Sequence, residues 1–257
     1  MTIGFNHLGR HGRLGNQMFQ YAGLRGIAAH RGFDFMIPES DFNDEWNDHQ
    51  LFEAFKLKGL TNIGVCPGPY VQEAHFHFDQ NLYDNMPDGH NVYAYLQSTK
   101  YFDIIEEEIR QDFEFKNEIK SPCEDMISTV QDPIALHVRR GDYIQNCDNH
   151  PPCPKEYYDT ALSKFDNRRT VVIFSDDPKW CLEQSLFEDD RFLISENDDG
   201  YIDMCLMTMC TDYIIGNSSF SWWAAWLGNS GKVIAPKYWF PDNKDTSDLY
   251  CPHWEVI

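Results

Sequence analysis

The stretch IALHVRRGDYI, residues 134–144, decides how the second half of the chain is interpreted. Its first five residues, 134–138, are typical of a buried strand, yet Arg139 and Arg140 follow at once. Burying adjacent guanidinium groups without an anion is costly, because an isolated charge loses roughly several kcal/mol or more on leaving water. The segment therefore predicts a strand that ends at an anion-binding loop. The tripeptide Arg140-Gly141-Asp142 leaves a cell-adhesion loop as an alternative.

Strand and helix patterns alternate regularly from residue 134 to residue 236. Such alternation is typical of a parallel sheet that is covered by helices on both faces. In sheets of this kind, ligands bind at the carboxyl ends of the strands. The strands are predicted at 134–138, 170–175, 191–195, 212–216 and 232–236, and the helices at 154–165, from Pro178 onward, at 201–209 and at 218–227.

The first half of the chain is less regular, and residues 40–90 favour only short elements. The fold class expected for the whole chain is α/β, with two domains at residues 1–130 and 131–257. The predicted strands of the first half are 2–6, 33–38 and 91–96, and its predicted helices are 16–30, one near 49–55, 101–113 and about 122–130.

The composition excludes several classes of protein. The 257 residues carry a formal net charge of −20, from 41 acidic and 21 basic side chains, which argues against broad binding to nucleic acid or to anionic membranes. No apolar run approaches the ~20 residues of a membrane-spanning helix. The N-terminus shows no secretory pattern, so we expect a cytoplasmic protein.

The eight cysteines form no CxxC pair and match no zinc pattern. Cys147 and Cys153 flank His150, and this is the only arrangement with some resemblance to a metal site. We therefore expect no metal.

Polar side chains follow three of the predicted strands. Arg139, Arg140 and Asp142 follow the first, and Ser175 and Asp176 end the second within FSDDPKW, 174–180. The third strand leads into Asn217-Ser218-Ser219-Phe220-Ser221. For both acids and serines, helix capping is at least as good an interpretation as ligand binding when each motif is taken alone. Taken together, arginines, hydroxyls and acids at one sheet edge favour a nucleoside diphosphate as the ligand.

The stretch GRHGRLGNQMFQYA, 9–22, follows the first predicted strand. It contains neither GxGxxG nor a Walker A motif. Residues 12–15 form a tight turn that brings backbone close to a ligand or to another domain. For Asn16, the residues alone favour helix capping.

Four motifs occur in this order: GRLGNQMFQYA, HVRRGDY, FSDDPKW, and DMCLMTMCTDYIIGNSSFSWWAAWL with PKYW at 236–239. They resemble the α-1,2-fucosyltransferases of glycosyltransferase family 11. The resemblance implies a GT-B-type architecture of two Rossmann-like halves, with a short N-terminal half on the acceptor side. It also implies a cytoplasmic, membrane-peripheral enzyme that uses GDP-β-L-fucose as donor and needs no metal or cofactor. L-Fucose would pass with inversion to O2 of a galactose-containing glycan.

The resemblance also implies roles for individual residues. Arg139 would bind the β-phosphate, Arg140 would assist it or pair with Asp142, and Asp203 would read guanine. Gly15 and Asn16 become active-site residues, with Asn16 and Arg139 catalytic. The remaining expected substrate-binding residues are His137, Ser175, Asp176, Asn217, Ser218, Ser219, Phe220 and Ser221.

No motif identifies a general base for the acceptor hydroxyl, although His11, Asp34 and Glu39 lie in regions where such a base could stand. Two alternatives remain open. One is another fucosyltransferase, of the protein O- or α-1,6- type. The other is a GDP-sugar-binding protein without catalysis.

Overall fold

The computed structural model describes residues 1–39, 50–197, 199–228, 231–241 and 244–257. The chain divides into two compact units, Met1–Lys116 with Asp245–Cys251, and Asn117–Lys244 with Pro252–Ile257. The division falls earlier than the boundary near 130 that the sequence suggests. The reason is that a helix beginning at Asn117 belongs to the second unit.

The first unit contains a four-stranded sheet in the order β2-β1-β4-β3, and every strand pair in it is parallel. Its strands are short, and its longest helix directly follows the first strand. The described elements are β1 (Thr2–Gly4), α1 (Leu14–Arg31), β2 (Asp34–Met36), α2 (Gln50–Ala54), β3 (Tyr70–Gln72), α3 (Gln80–Asn85), β4 (Asn91–Tyr93) and α4 (Glu106–Asp112).

Helix α1 is the centre of the first unit, and most of its residues are buried. It ends at Gly32, whose φ of 66° is left-handed and whose N–H caps carbonyls of the last turn. Tyr21 donates a hydrogen bond of 2.6 Å to the buried Asp112, which also pairs with Arg25. These bonds tie α1 to the end of α4 and fix the position of the turn that precedes α1.

The second unit contains a six-stranded, all-parallel sheet in the order β10-β9-β8-β5-β6-β7. Strand β5 lies in the interior of this sheet, between β8 and β6. The described elements are α5 (Asn117–Ile127), β5 (Ile134–Val138), α6 (Gly141–Gln145), α7 (Lys155–Leu162), β6 (Val171–Ser175), α8 (Pro178–Leu182), β7 (Phe192–Ile194), α9 (Gly200–Thr208), β8 (Asp212–Ile214), α10 (Ser219–Gly228), β9 (Val233–Ala235) and β10 (Glu255–Val256).

Burial explains why strands and helices of the second half could be predicted from the sequence. All five residues of β5 are buried, and Trp222 and Trp223 of α10 are fully buried against other rings. The tryptophans are therefore core residues, as the sequence favoured. A helix that is apolar all round belongs in a core rather than on a surface.

The first unit departs more from expectation. The predicted strand 91–96 ends at Tyr93, and Leu96 adopts a left-handed φ of 55° that a strand cannot continue through. Strand β3 and helix α3 were not predicted; none of the three residues of β3 is buried, so this strand lacks an apolar run. The helix expected near 49–55 is α2, and the part of that expectation at residue 49 lies outside the described residues.

Candidate active site

Arg139 leaves the carboxyl end of β5 and lies between two carboxylates. One guanidinium nitrogen contacts Asp142, and the other lies 2.6 Å from Oδ2 of Asp176. Its guanidinium also lies over the ring of Tyr143, 5.2 Å from the centroid. A guanidinium has five N–H donors, so two carboxylate contacts leave donors for a further anion.

Arg140 points to different partners. Its Nε lies 3.1 Å from Asp177, and its guanidinium stacks over Trp180 at 4.0 Å from the ring centroid. Of the two roles that the resemblance implies for Arg140, pairing with Asp142 is not found, because Asp142 pairs with Arg139; that Arg140 assists Arg139 stays a prediction. The tripeptide 140–142 leads into the short helix α6 rather than forming an extended loop tip. The adhesion alternative therefore gains no support.

Asp176 organises the loop after β5. Its Oδ1 accepts hydrogen bonds from the backbone N–H groups of Arg140 and Gly141, at 2.8 and 3.1 Å. Its Oδ2 holds Arg139. One carboxylate from the end of β6 thus fixes both the backbone and the side chain that follow β5. Asp177 instead caps α8, accepting from the N–H of Trp180, and Ser175 accepts from the N–H of Asp177.

His137 lies buried in β5, two residues before Arg139. Burial, reinforced by the charge of Arg139, lowers the pKa of His137 to about 4, so the ring is neutral at pH 7. Its Nδ1 is buried without a hydrogen-bond partner among the described residues. Gly216 packs here, since a Cβ at that position would lie 3.2 Å from the carbonyl oxygen of His137. The close approach brings the loop after β8 next to β5.

The loop after β8 separates into inward-facing and outward-facing residues. The amide of Asn217 donates to the carbonyls of Pro151 and Trp239 and accepts from the thiol of Cys153. Ser221 is fully buried and donates to backbone carbonyls. These contacts show that both side chains hold the loop in position; their expected contact with the substrate stays a prediction. Ser219 and Phe220 are partly exposed, and Ser218 is nearly buried.

Asp203 lies in the first turn of α9, where burial raises the pKa of its carboxyl group. Its Oδ1 accepts from Ser195 at 2.6 Å and from Asn197 at 3.1 Å. Among the residues that the structure describes, no hydrogen bond to Oδ2 is recorded. A buried carboxylate with one oxygen uncommitted is suited to accept from a ligand N–H group.

Gly15 and Asn16 belong to the first unit, in the first turn of α1. Asn16 is not the helix cap: Arg13 occupies that position, with no side-chain hydrogen bond to the helix. The Oδ1 of Asn16 accepts from the amide of Gln97 at 3.0 Å. Sequence reasoning missed this partner because 81 residues separate the two positions.

Three further residues contribute to the second unit's site and were not predicted. Tyr143 supports Arg139 and donates to the carbonyl of Asn217 at 3.0 Å. Trp180 supports Arg140, and Ser195 orients Asp203. Tyr143 and Trp180 stand inside quoted motifs, HVRRGDY and FSDDPKW, so an aromatic beside an arginine was the available signal.

No group of three His, Cys, Asp or Glu side chains within the described ranges is placed to hold a metal ion. Near His150, burial raises the pKa of the Cys153 thiol to about 11, and that thiol is engaged with Asn217. Across the same described ranges, no helix combines the length and the apolar character needed to cross a membrane.

The fold and the polar edge define an α/β protein of the kind that binds ligands at the ends of parallel strands. The family model of glycosyl transferase family 11 matches residues 2–257. The chain therefore belongs to glycosyl transferase family 11 and is a glycosyltransferase.

Three relatives agree with this assignment. The O-antigen biosynthesis glycosyltransferase WbnK of Escherichia coli is 30% identical over 72% of this chain and 67% of its own length. The alpha-1,2-colitosyltransferase of Escherichia coli is 28% identical over 94% of both chains. The galactoside alpha-(1,2)-fucosyltransferase 2 of Sus scrofa is 24% identical over 90% of this chain and 72% of its own length.

Solved fucosyltransferases share the fold. NodZ alpha-1,6-fucosyltransferase soaked with GDP-fucose superposes with a TM-score of 0.56 and 15% identity, covering 90% of this chain and 93% of that one. POFUT1 in complex with GDP superposes with a TM-score of 0.59 and 12% identity, covering 91% and 97%. The α/β architecture with parallel sheets, expected from the sequence, is confirmed as similar to that of these two fucosyltransferases.

Proposed function

We propose that this enzyme transfers L-fucose from GDP-β-L-fucose to O2 of a galactose-type acceptor, with inversion and without a metal ion. The observation that carries the proposal is Arg139, held at the end of β5 between Asp142 and Asp176. Membership of family 11 and the relatives named for α-1,2 transfer support the reaction and the linkage. The donor would bind the second unit.

The proposed reaction forms a bond between the acceptor oxygen and C1 of fucose while the bond from C1 to the β-phosphate oxygen breaks. GDP leaves with that electron pair, and the proton of the acceptor hydroxyl is released to solvent. Negative charge then develops on the departing GDP. Arg139 would donate its remaining N–H groups to that phosphate. Removing one such donor typically lowers the rate by ~10²–10³-fold. His137 stays neutral behind Arg139, so it does not add a second buried positive charge.

Asp142 and Asp176 would have different parts when the donor binds. The side chain of Asp142 is 58% exposed, and it contacts Arg139 from only three residues away. Asp176 is less exposed and also holds two backbone N–H groups. We therefore assign Asp142 as the carboxylate that the phosphate replaces, and Asp176 as the residue that keeps Arg139 in position.

Asp203 is our candidate for reading the base. Guanine presents neighbouring N–H donors that a carboxylate can accept. Ser195 and Asn197 occupy Oδ1, which turns the carboxylate and leaves Oδ2 for the ligand. Pairing with guanine would also offset the cost of burying this charge.

A second donor deserves testing because one relative, 28% identical over 94% of both chains, is an alpha-1,2-colitosyltransferase. Colitose is fucose without the 3-hydroxyl group, so both sugars present the same C1 chemistry to Arg139. The sites for the two donors would differ at that position only: a site for fucose needs a protein group that hydrogen-bonds to the 3-hydroxyl group, and a site for colitose does not.

The test measures GDP release in EDTA from GDP-fucose and from GDP-colitose, with and without a panel of β-galactosides, for wild type and Arg139→Ala. We expect acceptor-stimulated release that the mutation lowers by roughly 100-fold or more. Linkage analysis of the product should give an α-1,2 bond. A fully active Arg139→Ala enzyme would contradict the proposal, and release only with GDP-colitose would change the donor.

A further inference from the structure

Five rings gather in the first unit: His7, His11, Tyr70, Tyr93 and Tyr95. Apart from His11, which the sequence offers as a position for a general base, they have no role above. We call them the ring cluster. His7 stacks with His11 at a centroid distance of 5.6 Å, and its edge meets Tyr70 at 4.8 Å. Tyr93 meets both histidines, at 5.3 and 4.8 Å, and Tyr95 lies 6.5 Å from His11.

The ring cluster lies where a ligand is expected in a parallel sheet. His7 follows β1, and Tyr93 and Tyr95 stand at and beyond the end of β4. Tyr70 is instead the first residue of β3 and joins the cluster through its contact with His7. In such sheets the carboxyl ends of strands form the binding edge. His11 belongs to the turn that leads into α1, close in sequence to Asn16. The cluster therefore adjoins the segment that carries the expected catalytic asparagine.

Two tyrosines of the cluster are open to solvent in a way that core rings are not. Tyr70 is 48% exposed and Tyr95 is 45% exposed. Tyr95 is held firmly, because its backbone N–H donates at 3.0 Å to Glu73, whose other oxygen accepts from Tyr101. Exposed rings on a fixed backbone form a preorganised aromatic surface.

Polar atoms behind this surface lack partners. Nδ1 of His7 and Nε2 of His11 are buried without a hydrogen bond among the described residues, as are the amide oxygens of Gln20 and Gln97. Gln20 donates to the carbonyl of His11, so its amide belongs to the same turn. Buried polar groups in native proteins bond to protein, to water or to a ligand, so these four atoms are hydrogen-bonding positions that a ligand's hydroxyl groups can use.

The cluster is uncharged. Burial lowers the pKa of His7, and the neighbouring His11 and Arg10 lower it further. Burial and Arg10 likewise lower the pKa of His11. Neutral rings with unused nitrogen atoms do not suit a phosphate. They suit a neutral ligand that has both an apolar face and hydroxyl groups, since such sites are lined by aromatic rings with a few polar atoms.

We propose that the ring cluster binds a pyranose ring of the acceptor glycan, with Tyr70 and Tyr95 covering its apolar face and His7 and His11 meeting its hydroxyl groups. This inference rests on the proposed function, because it names where the first unit holds the acceptor.

The test compares wild type with Tyr95→Ala, with a Tyr70→Ala/Tyr95→Ala double variant, and with Tyr238→Ala as control. Tyr238 is 70% exposed in the second unit and is a matched surface tyrosine. The probes are methyl β-galactoside, lactose and N-acetyllactosamine. Acceptor binding is followed by saturation-transfer NMR and by the acceptor KM, and donor binding by GDP titration and by GDP-fucose hydrolysis without acceptor.

We expect Tyr95→Ala to raise the acceptor KM roughly tenfold and the double variant to abolish saturation transfer, because a stacked ring is worth about 0.5–1.5 kcal/mol beyond its buried area, the upper value being close to tenfold. Tyr95→Phe should restore most of the affinity. GDP affinity should stay within about twofold in all variants. Tyr238→Ala should behave as wild type.

Two results would overturn the inference. One is an unchanged acceptor KM in the double variant. The other is a wild-type protein that binds GDP but shows saturation transfer to none of the three sugars. A protein that binds no GDP would count instead against the proposed function, and saturation transfer would still report separately on the ring cluster.

Discussion

The two units present the same architectural feature with opposite chemistry. Each has an all-parallel sheet whose carboxyl ends carry polar side chains. In the second unit these are Arg139 and Arg140, paired with three aspartates. In the first unit they are His7, Tyr93 and Tyr95 of the neutral ring cluster. The difference shows that the fold supplies only the edge, and the residues after each strand decide which ligand it suits.

At the sheet edge of the second unit, positive and negative side chains balance each other, so the edge is not strongly positive. Two arginines face Asp142, Asp176 and Asp177, so the proposed binding of an anion there would depend on directed N–H groups and on replacing a carboxylate. A chain with a net charge of −20 can hold a diphosphate in this way without attracting nucleic acid. The proposed ligand binding at the ring cluster would depend instead on ring faces and on nitrogen atoms without a hydrogen-bond partner.

The largest effect that separates the two edges is expected from Asp176→Asn. The substitution removes the negative charge that holds Arg139, and an amide oxygen accepts more weakly than a carboxylate from the N–H groups of Arg140 and Gly141. We expect kcat/KM for the donor to fall by roughly 10–100-fold, in line with about 1.5–3 kcal/mol for a hydrogen bond to a charged group. The acceptor KM should not change. Asp166→Asn, at an exposed carboxylate of the loop before β6, is the control. An equal loss of kcat/KM for the donor and for the acceptor would contradict the assignment of the two substrates to separate sheet edges.

The next effect concerns His137 and the pH dependence of stability. Its pKa in the folded protein is about 4, whereas an unfolded histidine titrates near 6.5. The unfolded chain therefore takes up the proton first, and the free energy of unfolding falls as pH drops from about 6.5 to about 4. When it is measured with urea at pH 7, 6 and 5, the free energy of unfolding should fall less for His137→Gln than for wild type. An identical fall in both proteins would show that His137 is not its source.

Glu73 of the first unit should act with the opposite sign. Burial raises its pKa to about 7, against 4.5 in an unfolded chain. The folded protein retains the proton, so the free energy of unfolding decreases as pH rises from about 4.5 to about 7. Glu73→Gln should flatten this part of the curve, since a neutral amide still accepts from Tyr95. A curve with the same slope in the variant would contradict the assignment.

The smallest effect is expected from Asp142→Asn. This carboxylate is largely exposed, and exposed ion pairs contribute about 0–1 kcal/mol to the free energy of unfolding. Removing a charge that competes for Arg139 should leave GDP affinity equal or a few-fold higher. Weaker GDP binding in this variant would mean that Asp142 supports the donor instead of being replaced by it.

The second unit was largely predictable because its central strands β5, β8 and β9 are buried on both faces. A continuous apolar run such as 134–138 can be recognised without any partner sequence. The arginines and acids that follow the strands were found by position alone. Their pairing was not: Asp142 pairs with Arg139 and Asp177 with Arg140, a choice made by side-chain geometry after folding.

The first unit resisted prediction for physical reasons. Strand β3 was missed because none of its three residues is buried, so it lacks the apolar run that marked the other short strands. The ring cluster joins residues 7 and 11 with residues 70, 93 and 95, which no local pattern connects. The partner of Asn16, Gln97, is equally distant in sequence. Contacts of this kind depend on the register between parallel strands.

The most direct measurement of the central claim is calorimetric titration of GDP into wild type, Arg139→Ala and Arg168→Ala. Arg168 is an exposed arginine before β6, whose side chain is 86% accessible. The account predicts that Arg139→Ala weakens GDP binding by roughly 10–100-fold, because charge-assisted bonds to the phosphate are lost, while Arg168→Ala binds as wild type does. Equal GDP affinity in all three proteins would contradict the claim that the end of β5 holds the diphosphate.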